Sequence, residues 1–143
     1  KFTVVMKDRM HLVCRAGHPL SSLSEVPWRA LIDYPFVAMN AGSSVRYITD
    51  SAFAELGVVK VPEQEVSQLT TMFGLAKAGL AVTAMPAAVM RAFDVEGVVK
   101  LPLVDPVVER ELGFIVRRGH LLSPAAEALM ESVRQVSETA LVV

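Results

Sequence analysis

The sequence predicts an α/β domain with a mostly parallel sheet and flanking helices. Three observations carry this. Short apolar, β-branched segments alternate with helically patterned ones along the chain. The run at residues 81–85 (AVTAM) is apolar without alternation, the pattern of a strand covered on both faces. Hydrophobic residues make up 52% of the 143 and charged residues 20%, enough apolar material for one packed core and too much for a disordered chain.

The elements follow in order. Residues 2–6 (FTVVM) and 10–15 (MHLVCR) read as two short strands. Gly17 and Pro19 break regularity after them. Ser24 is placed to cap a short helix near residues 25–31, with Pro27 in its first turn. Residues 36–39 form a short buried strand after Pro35. The spacing of Val45, Ile48, Ala52, Phe53 and Leu56 predicts an amphipathic helix, with Gly57 where a C-terminal glycine belongs.

A strand follows near residues 60–66, with Pro62 marking it as an edge. Ser67 is expected to cap the next helix, whose stripe is Leu69, Met72, Phe73, Ala76 and Leu80, and Gly79 ends it. The strand at residues 81–85 stops at Pro86, which opens a brief helix at residues 87–93. Gly97 turns the chain into VVKLPLV. Residues 111–117 (ELGFIVR) form another strand. Ser123 and Pro124 start the last helix, with Ala125, Leu129, Val133, Val136 and Ala140 on one face.

Composition excludes several functions. The formal net charge is −1, and Arg117–Arg118 is the only dense basic spot, read as a solvated strand end, so this chain lacks the basic surface of a nucleic-acid binder. The single cysteine, Cys14, permits no internal disulfide and reads as a small core residue. No apolar run is long enough to span a bilayer, and no basic start precedes an apolar block. His11, His18 and His120 lie in unrelated settings without metal-ligand spacing. G-x-S-x-G, G-x-G-x-x-G and the phosphate-binding G-x-x-x-x-G-K-[ST] are all absent. No catalytic group, metal or cofactor is therefore expected.

Open α/β sheets bind ligands beyond the carboxyl ends of their strands. Two strand-to-helix junctions here carry small polar residues. One holds Asn40, Gly42, Ser43 and Ser44, and the other holds Ser67, Gln68 and Thr71. Backbone N–H groups and hydroxyls at such junctions favour an anion such as a carboxylate, although plain helix capping accounts for Ser67 and for one of Ser43 and Ser44. Arg46, one turn into its helix, is either a partner for an anionic ligand or a surface charge.

Four runs resemble LysR-type transcriptional regulators. HLVCRAGHPLSS resembles the segment in which a strand ends at a GHPL turn. PFVAMNAGSSVRYITDSAFAELGV has the family's order of strand, polar turn, amphipathic helix and glycine. AKAGLAVTAMPA resembles the family's AGLGVALLP segment, with Ala81 in place of a glycine. The tail through LSPAAEALMESVR resembles the closing strand and helix.

The resemblance covers the later part of the family's effector-binding domain. It implies a type II periplasmic-binding-protein-like fold with Rossmann- or flavodoxin-like lobes. Residues 21–103 would be the second lobe, and residues 1–20 and 104–143 the hinge strands and the remainder of the first. The family's N-terminal winged helix-turn-helix, which would contact DNA, lies outside this chain. By resemblance, a small-molecule effector binds between the lobes, with Thr83, Met85 and Pro86 on the cleft floor, and its binding biases how a homodimer or tetramer holds DNA. A cytoplasmic, non-enzymatic, membrane-free regulator is expected. The alternative is a solute-binding protein or small enzyme of the same fold.

Overall fold

The computed structural model describes residues 1–140. The chain divides into two compact units. One is Arg9–Val108; the other joins Lys1–Asp8 to the chain from Glu109 onward.

The larger unit contains the second half of β1 (Phe2–Arg15), then β2 (Val26–Pro27), β3 (Val37–Met39), β4 (Gln64–Val66), β5 (Thr83–Pro86) and β6 (Val98–Val104). Its helices are α1 (Ser44–Glu55) and α2 (Leu69–Lys77), with 3-10 turns at Pro19–Ser22, Trp28–Asp33 and Ala87–Ala92. β1 runs antiparallel to β5, from Met10 opposite Pro86 to Val13 opposite Thr83. It is also antiparallel to β6 on its other side. β2 is parallel to β6, β3 is parallel to β4, and a parallel bridge joins Phe36 to Val82. Five strands therefore point one way and β1 opposes them. The carboxyl ends of β3, β4 and β5 lie together.

Local chemistry explains the helices. Val45, Thr49, Ala52 and Phe53 put one face of α1 into the core. Ser43 Oγ caps it, accepting from the Val45 N–H at 3.2 Å. Gly57, at φ +69°, supplies the left-handed residue that closes it. α2 buries Met72, Phe73 and Ala76. Phe53 anchors the core with its ring edge-on to Trp28 and to Phe36, at 5.4 and 5.7 Å between centroids. Cys14 is fully buried, and desolvation raises its thiol pKa.

The smaller unit pairs the start of β1 with β7 (Glu109–Ile115) and carries α3 (Pro124–Ala140). Ser123 Oγ caps α3, accepting from the Ala126 N–H at 3.2 Å. On α3, Leu129 and Val136 are exposed. The side chain of Ala140 lies outside the described residues.

Several elements depart from expectation for identifiable reasons. Residues 2–6 and 10–15 are one strand, because β7 answers the polar residues between them. The buried carboxylate of Asp8 accepts from the Arg110 guanidinium at 3.0 Å, and Lys7 faces Glu111 at 3.9 Å. The expected helix near residues 25–31 is strand β2 followed by a 3-10 turn. Val26 is buried opposite Leu103, and the Trp28 indole N–H donates to the Pro106 carbonyl at 3.0 Å. β4 is only three residues long because side chains occupy the stretch before it. Lys60 donates to the carbonyls of Ile32 and Tyr34, and the Glu63 carboxylate accepts from the Phe36 N–H. The brief helix expected at residues 87–93 is present, in 3-10 form, at Ala87–Ala92.

Candidate ligand-binding site

The two polar junctions meet. Because β3 and β4 are parallel and Met39 stands opposite Val66, the residues leaving each strand start side by side. The Asn40 N–H donates to the Val66 carbonyl at 2.8 Å, which ties the first loop to the end of the second strand. Gly42, at φ +92°, then turns the chain so that Ser43 reaches its capping position. Sequence alone placed polar residues at two strand ends; the parallel register makes them one surface.

The junctions differ in what they leave free. At the first, Ser43 is used as a cap, while Asn40 and Ser44 are exposed. At the second, Ser67 is not the cap expected. β4 continues to Val66 and Gln68 is still extended, so α2 begins at Leu69 and Ser67 stands one position too early. No side chain caps α2, and Ser67, Gln68 and Thr71 are exposed. The first turn of α2 therefore presents backbone N–H groups and two hydroxyls beside the Asn40 loop, a set of neutral donors suited to an anionic group.

Arg46 is already engaged. Its Nε donates to both oxygens of Asp50 at 2.9 Å, and one terminal nitrogen donates to the Met39 carbonyl at 3.0 Å and lies 3.2 Å from Glu65. Partial burial alone would lower its pKa; the hydrogen bonds to Asp50 and Glu65 outweigh that and raise it. The Asp50 partner was legible as an i, i+4 pair. Glu65 was not, since only the strand register brings it near.

Thr83, Met85 and Pro86, all on β5, are buried, with Thr83 at the start of that strand and Pro86 at its carboxyl end. The Thr83 hydroxyl donates to the Val37 carbonyl at 2.7 Å, so its polar atom is committed to the fold. Among the described residues, no group of three His, Cys, Asp or Glu side chains could hold a metal ion, and no helix is long and apolar enough to cross a membrane.

Fold and site together define an α/β ligand-binding type of domain, with neutral polar loops gathered at the carboxyl ends of parallel strands. Residues 1–138 match the LysR substrate binding domain, and the chain belongs to that family. It is 34% identical over 126 residues to the uncharacterized HTH-type transcriptional regulator YbhD of Escherichia coli, covering 88% of this chain and 40% of that protein. It is 31% identical over 135 residues to the HTH-type transcriptional regulator GalR of Pseudomonas putida, covering 92% of this chain and 34% of that protein. The chain thus spans less than half the length of either relative.

Solved structures share the fold. The effector binding domain of QuiR in complex with shikimate aligns with a TM-score of 0.79 at 22% identity, over 97% of this chain and 66% of that one. The BenM effector binding domain with benzoate aligns at 0.77 and 21%, over 100% and 65%. The CcmR regulatory domain from Synechocystis, in complex with 2-PG, aligns at 0.84 and 16%, over 96% and 67%. The fold is accordingly the periplasmic-binding-protein-like α/β type.

Proposed function

We propose that this chain is the effector-sensing part of a bacterial LysR-type transcription regulator, and that it binds a small anionic metabolite at the joined loops of Asn40, Ser43, Ser44, Ser67, Gln68 and Thr71. The observation that carries this is the uncapped start of α2 beside the Asn40 loop. Thr83, Met85 and Pro86 support those loops from below, and Arg46 borders them. The related domains solved with shikimate and benzoate favour a small carboxylate.

In this reading residues 21–103 form the body of the second lobe. Residues 1–20 and 104–143 supply the hinge strands and part of the first lobe. The intact protein works as a cytoplasmic homodimer or tetramer, touches DNA through an N-terminal helix-turn-helix, and catalyses no reaction. Effector binding controls transcription only as far as it favours one state of that assembly over the other.

The test is a thermal-shift screen of the full-length protein against small aromatic and aliphatic carboxylates. A binding carboxylate raises the melting temperature, and Ser67→Ala and Thr71→Ala shrink that rise without changing the unliganded value. Variants that respond like the parent would remove these loops from the site.

A further inference from the structure

Arg46 holds three elements at once, and all three lead into the candidate site. Its side chain is 15% exposed. Nε binds Asp50 one turn further along α1. One terminal nitrogen donates to the carbonyl of Met39, the last residue of β3 and the one before Asn40. The same nitrogen lies 3.2 Å from Glu65 on β4, two residues before Ser67. A guanidinium suits this job because its donors lie on separate nitrogens in a rigid plane, whereas an ammonium gathers its three donors on one atom.

Resting on the effector-site reading above, we propose that Arg46 is a positioning residue: it sets the separation between the Asn40 loop and the start of α2, and acts on ligand affinity without touching the ligand. Without the guanidinium, the carboxylates of Asp50 and Glu65 lose the cation between them and repel, and the Met39 carbonyl loses a donor. Both changes spread α1 from β4 where the two loops begin. Lysine keeps the charge but carries its donors on one nitrogen, so it cannot stand at once where Nε meets Asp50 and where the terminal nitrogen meets Met39 and Glu65, and charge alone does not rescue the geometry.

The experiment uses full-length parent, Arg46→Lys, Arg46→Met and Glu65→Gln proteins. Hydrogen exchange is followed by mass spectrometry, and benzoate and its uncharged analogue benzamide serve as probes. In Arg46→Lys and Arg46→Met, amides of residues 40–45 and 66–69 exchange about tenfold faster, while residues 98–104 keep the parent rate. Glu65→Gln shows a smaller change confined to the same residues, and stands in if Arg46→Met does not fold. Benzoate and benzamide weaken by the same factor.

Unchanged exchange at both segments overturns the proposal, as does acceleration spread evenly through the larger unit. Loss of benzoate with benzamide unaffected also overturns it, because that is the mark of direct anion contact. If the parent binds neither probe, the exchange data alone decide whether Arg46 sets the loops, and the effector-site reading is judged by the carboxylate screen.

Discussion

Replacing Thr83 by valine separates a role in the fold from a role at the ligand. Thr83 is fully buried, and its hydroxyl donates to the Val37 carbonyl at 2.7 Å. Valine keeps the shape and removes only the hydroxyl, so no cavity opens. The lost hydrogen bond, together with a buried carbonyl left short of a donor, costs about 1–3 kcal/mol. Serine makes the complementary change: it keeps the donor and deletes one buried methyl, at about 1 kcal/mol. Urea unfolding followed by circular dichroism measures both, with the midpoint reporting stability and an unchanged slope confirming comparable states. Both variants are expected to unfold earlier while keeping the ligand-induced rise in melting temperature. A Thr83→Val protein within about 0.5 kcal/mol of the parent, the range of an ordinary surface change, that had lost its ligand response would refute the argument and put the hydroxyl in the cleft.

Two further predictions concern backbone and pH. A Cβ at Gly113 would fall on the Thr3 carbonyl and the Phe2 ring, so Gly113→Ala forces β1 and β7 apart and costs about 1–3 kcal/mol; Gly74→Ala, in α2 with open space around it, stabilises by up to about 1 kcal/mol. Urea midpoints of the two variants moving in the same direction would contradict this. His18 accepts from the Leu20 N–H at Nδ1, at 3.1 Å, and burial lowers its pKa below the usual 6.5. The unfolded chain then binds the proton more readily, so stability is complete above pH 6.5 and falls as pH drops from there toward the folded-state value. Urea midpoints from pH 7.5 to pH 5.5 are expected to fall more in the parent than in His18→Asn, and parallel curves would show that His18 does not contribute.

Much of the fold was legible because it is written in local chemistry. Ser43, Gly57, Gly79 and Ser123 mark helix ends where they were expected, since a hydroxyl cap or a left-handed residue depends on its immediate neighbours. What was illegible depends on partners distant in sequence. Lys7, Asp8 and Arg9 look like a break between strands until Arg110 and Glu111 are known to lie alongside. Val26 looks helical until Leu103 is known to face it. The same division runs through the site. The polar residues at each strand end were visible. That they form one surface, that Ser67 caps nothing and that Arg46 is held by Glu65 follow from the parallel register of β3 and β4, which no local pattern encodes.

Backbone amide chemical shifts, recorded while a carboxylate that stabilises the full-length protein is titrated in, test the central claim most directly. The account predicts the largest, saturable changes at residues 40–44 and 67–71, with the amides of Leu69, Thr70 and Thr71 moving as their N–H groups gain an acceptor. Saturable changes confined to other parts of the chain, such as the groove along Leu122 and the α3 residues Glu127 and Arg134, would contradict it.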